Sequence, residues 1–169
     1  DGIRREKEIL EPLRAQAEKV IDTSLLTGRD LRRIVQAAFA GPGEARLGVS
    51  LESFSFPKGA PRGADLVFDV RFLANPHYEA ALKPLTGLDA AVVDFVAADP
   101  NYAPFVARLE DLLQFLLPLY EQEGKSYLTV AIGCTGGRHR SVAVTERLGA
   151  FLKGRGWPIR ASVMRPSRS

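Results

Sequence analysis

The sequence is poor in the residues that build crosslinks and metal centres. One cysteine among 169 residues excludes an internal disulfide framework and fits a reducing compartment, so a cytoplasmic protein is expected. Two histidines and that cysteine, scattered along the chain, are too few for a zinc site. No apolar run approaches the roughly 20 residues of a membrane span. The opening Asp1-Gly2-Ile3-Arg4-Arg5-Glu6-Lys7-Glu8 is too charged for a signal peptide, and without an initiator methionine it predicts a fragment or a trimmed chain. A nucleotide-hydrolysing P-loop is also missing. Gly124-Lys125-Ser126 matches the end of that motif, but the glycine required five residues earlier is Leu119.

What is present is a soluble globular composition, 46% hydrophobic and 25% charged, in a length suited to one full domain. The net charge of +3 hides an uneven distribution. Residues 76–123 hold eight acidic groups and two basic ones, whereas residues 133–169 hold eight basic groups and Glu146 alone. Such asymmetry suits a polyanionic partner, and an ordinary solvated basic face is the plainer explanation.

Apolar periodicity predicts a helix over 3–20, a short strand or turn at 20–24, and a second helix capped by Thr27 with Asp30 three residues on. Gly41-Pro42-Gly43 then reads as a linker, which divides the chain into 1–43 and 44–169. Beyond it, residues 46–56 alternate as a strand, and Leu66 to Val70 has the continuous apolar pattern of a strand buried on both faces. Residues 88–98 and 102–121 are helical, with Pro118 expected to kink or end the second. Strands at 127–132 and 157–163 flank a last helix from Val142. The alternation predicts an α/β fold with a mainly parallel open sheet and helices on both faces.

The most informative stretch is Gly133-Cys134-Thr135-Gly136-Gly137-Arg138-His139-Arg140-Ser141, between a strand and a helix. Glycines let backbone amides approach an oxyanion, and a helix N-terminus favours negative charge. Ser141 is a candidate cap, Arg138 and Arg140 are candidate phosphate forks, and His139 is a third polar group. A second loop, Arg71 to Tyr78, carries Arg71, Asn75 and His77 just past a strand, where open α/β sheets bind ligands. The interval from Cys134 to Arg140-Ser141 also has the Cys-x5-Arg-Ser spacing of cysteine phosphatases. Against that chemistry, Gly133 stands where such enzymes usually place histidine, and no clear general-acid loop exists, with Asp69 or His77 as substitutes. The simpler role for Cys134 is a small, half-buried residue in a binding loop.

Several strings resemble the RapZ/YvcJ-type family of bacterial RNase adapter and nucleotide-binding proteins: Ala131 to Val142, Asp65 to Leu73, Asn75 to Tyr78, Leu85 to Asp89 and Gly124 to Thr129. The resemblance implies a C-terminal domain like a phosphofructokinase subdomain, preceded by a P-loop domain that binds ATP or GTP. Only the last helices of that first domain would remain in 1–43, and no cofactor is expected in this chain. The resemblance further implies a sugar-phosphate sensor for glucosamine-6-phosphate, with Thr135, Gly136, Gly137, His139 and Arg140 facing Arg71, Asn75, His77 and Lys58. It implies small regulatory RNA, an RNase E-type ribonuclease and self-association as partners, and no membrane. Family members that bind RNA often end in lysines. This chain ends Arg165-Pro166-Ser167-Arg168-Ser169, leaving Lys153, Arg155, Arg160, Arg165 and Arg168 as candidate RNA contacts.

Overall fold

A computed structural model describes residues 5, 9–12, 16–17, 20–24, 31 and 47–161, with backbone alone for 160 and 161. The chain forms two compact units, Asp1–Ala40 and Gly41–Ser169. In the first, the described residues at 5, 9–12, 16 and 31 are helical. Residues 20–24 make a turn, in which Asp22 Oδ1 accepts from the Ser24 amide at 2.9 Å and hydroxyl at 2.6 Å. The cap expected at Thr27 and Asp30 lies outside the described residues.

The second unit is built on four strands: β1 (Gly48–Ser55), β2 (Leu66–Asp69), β3 (Tyr127–Cys134) and β4 (Ile159–Ala161). Their order is β2-β3-β1-β4, and all three pairings are parallel. Three helices complete it: α1 (Ala90–Ala97), α2 (Tyr102–Gln122) and α3 (Arg140–Gly154). This is the expected α/β class with a parallel open sheet. Among the described residues, none of the helices is long and apolar enough to cross a membrane.

The register shows which face the helices cover. Leu51 pairs with Val130, Phe68 with Ile132 and Ile159 with Val49, so these side chains share one face of the sheet. That face supplies Val49, Leu51, Leu128, Val130 and Ile132 to a single core. Val92 and Val96 of α1, Leu113 and Leu117 of α2, and Val144, Leu148 and Leu152 of α3 fill the same core. The three described helices therefore gather on one face. The opposite face carries half-buried Ser50, Glu52 and Thr129 and exposed Val67 and Tyr127.

Two expectations fail here for identifiable reasons. Strand β2 is not buried on both faces, because it is an edge strand and Val67 is 48% exposed. Of the kink or early end expected at Pro118, the early end does not occur, because α2 runs on to Gln122. A mid-helix proline forfeits one hydrogen bond, here to the carbonyl of exposed Gln114, which solvent can satisfy. Burial of Leu113 and Leu117 in the turns leading up to that defect holds the helix together. Gly124, at φ 86, is what stops it. Lys125 of the false P-loop string pairs with Asp65 at 2.6 Å, and the other Asp65 oxygen accepts the Thr129 amide.

Candidate functional site

Parallel register brings the C-terminal ends of β1, β2 and β3 to one edge: Ser55 lies beside Cys134, and Asp69 beside Gly133. Strand β3 ends on Cys134 and α3 starts on Arg140, so the intervening five residues form a loop over that edge. Ser55 Oγ ties it down by donating to the Thr135 carbonyl at 2.7 Å. Its two adjacent glycines have different work. Gly137 has φ 65, and a Cβ there would stand 2.9 Å from the backbone of Phe54 and Ser55, so only glycine fits. At Gly136 a Cβ would meet nothing within 4 Å. The outer side of the loop is open at that point.

Beneath the loop lies Cys134, 2% exposed. The Gly137 amide donates to Sγ at 3.2 Å, and Ser141 Oγ stands 3.1 Å away. Burial pushes this thiol up, but bonds from the Ser141 hydroxyl and amide, the Gly137 amide and the charge of Arg140 outweigh it, leaving it below its ordinary value. Ser141 is thus not the helix cap expected from sequence. It sits inside the first turn of α3 and spends its hydroxyl on sulfur, while His139 occupies the cap position without a side-chain capping bond.

Arg140 is 4% exposed, and the two edges of its guanidinium have different partners. Nη1 donates to the carbonyls of Arg71 at 2.8 Å and Leu73 at 3.0 Å, which fastens the second loop to the first. Nη2 donates to Thr135 Oγ1 at 3.2 Å. Nε, whose N–H lies on the same edge as Nη2, is buried without a partner. An edge of two parallel N–H groups is the half of arginine that matches an oxyanion. His139 is 7% exposed, and its Nε2 also lacks a partner. Burial first, then the charge of Arg138, holds this imidazole below its ordinary value, while backbone bonds at Leu85 and Lys83 oppose them.

The other sequence candidates divide. Arg138 turns the Nε–Nη2 edge of its guanidinium to the carbonyls of Leu85, at 2.8 Å, and Pro84. Arg71 comes to the site by its backbone, but its guanidinium embraces Asp69 at 2.7–3.0 Å and stacks 3.9 Å over Phe56. Asp69 is held below its ordinary value chiefly by that arginine. Asn75 Oδ1 accepts the His77 amide at 3.3 Å and caps a short 3-10 turn, leaving the His77 ring exposed. Lys58 closes another such turn, Phe56–Lys58, and is exposed. Lys153 and Arg155 lie at the far end of α3, roughly 20 Å from the loop at 1.5 Å per residue. The Arg160 side chain, Arg165 and Arg168 lie outside the described residues.

Sequence reasoning missed the brace at Pro84 to Leu88. Gly87 donates its amide to the Arg138 carbonyl at 2.9 Å, and a Cβ on it would come within 2.2 Å of the His139 carbonyl. Asp89 folds this brace by accepting the Thr86 amide at 2.7 Å and hydroxyl at 2.9 Å. The sole hint was the string Leu85 to Asp89 itself, since a turn that packs on another loop leaves no periodicity.

The model of the RapZ C-terminal domain matches residues 47–165. A nucleotide-binding protein of Rhodospirillum rubrum is 54% identical over 152 residues, 90% of this chain and 48% of that protein. One of Paramagnetospirillum magneticum is 51% identical over 159 residues, 94% of this chain and 52% of that protein. Another, of Gluconobacter oxydans, is 51% identical over 151 residues, 89% and 47% of the two chains. The chain spans about half the length of these curated relatives. It belongs to the RapZ C-terminal domain family.

Proposed function

We propose that this domain is a RapZ-type sensor and adapter, non-catalytic toward the phosphorylated amino sugar that it binds, such as glucosamine-6-phosphate. The observation that supports it best is the Nε–Nη2 edge of Arg140, buried against Thr135 with Nε unpartnered, below a loop that is open at Gly136. A phosphate oxygen would complete that edge, with Thr135 and the loop amides holding the others. His139, Asn75 and His77 would read the sugar hydroxyls. Binding without turnover is favoured by Asp69, the carboxylate at this edge, which Arg71 keeps ionised. An alkyl phosphate needs a proton for its leaving alkoxide, and an ionised carboxylate has none to give.

In this reading Lys153, Arg155, Arg160, Arg165 and Arg168 contact the phosphates of small RNA with little sequence readout. An RNase E-type ribonuclease acts on the RNA so presented, the protein self-associates, and it works in the cytoplasm. ATP or GTP binding belongs to the P-loop domain of the full-length protein, a part that matches the printed name of the relatives.

Calorimetric titration of glucosamine-6-phosphate, with inorganic phosphate and glucosamine as controls, tests the core of this. Thr135→Ala is the informative variant, because Thr135 is exposed, whereas Arg140→Ala would strip two loop carbonyls of their donor. Saturable binding tighter than that of inorganic phosphate and absent with glucosamine, and weakened roughly tenfold in Thr135→Ala by loss of about one hydrogen bond, is expected. Equal heat from inorganic phosphate would reduce the loop to a general anion site.

A further inference from the structure

The sulfur under the loop has more than packing to do. It lies in a strand, loop and helix arrangement in which the Gly137 amide donates to Sγ and the Ser141 hydroxyl is hydrogen-bonded with it at 3.1 Å. The buried, unpartnered Nε–H of Arg140 faces the same loop and independently calls for an oxyanion there. A phosphoryl group seated on that edge would lie in the same loop as this sulfur, whose thiol, against the opposing push of burial, the Ser141 and Gly137 bonds and the charge of Arg140 hold below its ordinary value.

The geometry points to a second activity at this site: Cys134 accepts a phosphoryl group from aryl or acyl phosphates, whose leaving groups need no proton. It rests on the anion-site reading of the preceding section and adds the class of substrate that the site can cleave. Sγ attacks phosphorus in line with the departing oxygen. The S–P bond forms, the P–O bond breaks, and its electron pair leaves with the aryl oxide or carboxylate. Water then attacks the phosphocysteine, the S–P pair returns to sulfur, and the products are inorganic phosphate and a proton released to solvent. The same structure explains why a sugar phosphate would survive. Asp69 is locked to Arg71, and His139 is held neutral by burial, so neither protonates an alkoxide. Without a base to activate water, the second step is the slow one, and the phosphocysteine accumulates.

The test uses the whole chain and 4-nitrophenyl phosphate, with inorganic phosphate titrated in parallel to report the anion site by itself. The expected result is a burst of nitrophenolate that approaches one equivalent, followed by slow release. Mass spectrometry of the quenched, digested protein should find one phosphoryl group on the peptide containing Cys134. Cys134→Ser should lose both burst and adduct, and glucosamine-6-phosphate should release no phosphate from either protein. Phosphate binding in the parent with no burst and no adduct would overturn the proposal while leaving the sensor reading intact. An adduct mapped to another residue, or a burst that survives in Cys134→Ser, would overturn it too. Failure of the parent to bind phosphate at all would overturn both. The adduct is mapped in the parent, so the test holds even if the variant does not fold.

Discussion

At the scale of single residues, the two neighbouring glycines separate folding from binding. Gly137→Ala would force an L-residue into φ 65 against the Phe54 backbone, and should lower stability by roughly 1–3 kcal/mol in chemical denaturation. Gly136→Ala meets no neighbour and should leave stability within about 0.5 kcal/mol. It should nonetheless weaken sugar-phosphate binding, because its methyl would occupy the ligand's approach. Equal loss of stability in both variants would mean that the open side of the loop is not open.

His139 gives a pH prediction. Burial depresses its folded-state pKa, so the unfolded chain takes up the proton first as pH falls. Stability from this group is complete above the ordinary value of 6.5 and is lost as pH drops below it toward the lower folded value. Thermal melts from neutral to mildly acidic pH should therefore fall more steeply for the parent than for His139→Gln. Parallel curves would contradict a buried, neutral imidazole.

At the scale of elements, α2 and the brace show what pattern reasoning reads well and badly. Helix α2 was legible from its leucines to within a residue of its end, but its passage through Pro118 was not, since proline chemistry is local and burial of Leu113 and Leu117 is not. Pro118→Ala restores the missing hydrogen bond and should raise stability by roughly 1 kcal/mol or more. Unchanged or lowered stability would show that the helix bends usefully at that point. The brace is the opposite case. Its Gly87 packs against the His139 carbonyl, a contact 52 residues apart in sequence that no local signal encodes. The same holds for Arg138 and Arg140. Both read as phosphate forks, yet one guanidinium closes on the carbonyls of Pro84 and Leu85 while the other keeps a free edge. Residue type announces a fork, and only the fold decides what fills it.

At the scale of the whole molecule, alternating strand and helix signals sufficed for the class, because the crossovers leading into β3 and β4 are helical, whereas β1 reaches β2 through a loop with one 3-10 turn. They did not distinguish one covered face from two, which depends on register and on where each helix lands. The basic third of the sequence likewise divides in space. Arg140 of the loop turns inward, exposed Arg138 closes on the Pro84 and Leu85 carbonyls, and Lys153 and Arg155 stand a helix length away. If RNA lies along that far end, Lys153→Ala with Arg155→Ala should flatten the dependence of log K on log salt by about 0.7 for each phosphate contact removed. An unchanged slope in filter binding would move the RNA elsewhere.

The central claim is that the buried edge of Arg140 awaits an oxyanion. It is most directly tested by nitrogen–proton NMR of the labelled protein during titration with glucosamine-6-phosphate. The Nε–H resonance of Arg140 should move downfield together with the amides of Gly136 and Gly137, and glucosamine alone should leave all three in place. Saturation that shifts the resonances of Lys153 and Arg155 while the Arg140 Nε–H stays still would place the ligand at the other end of α3 and contradict the claim.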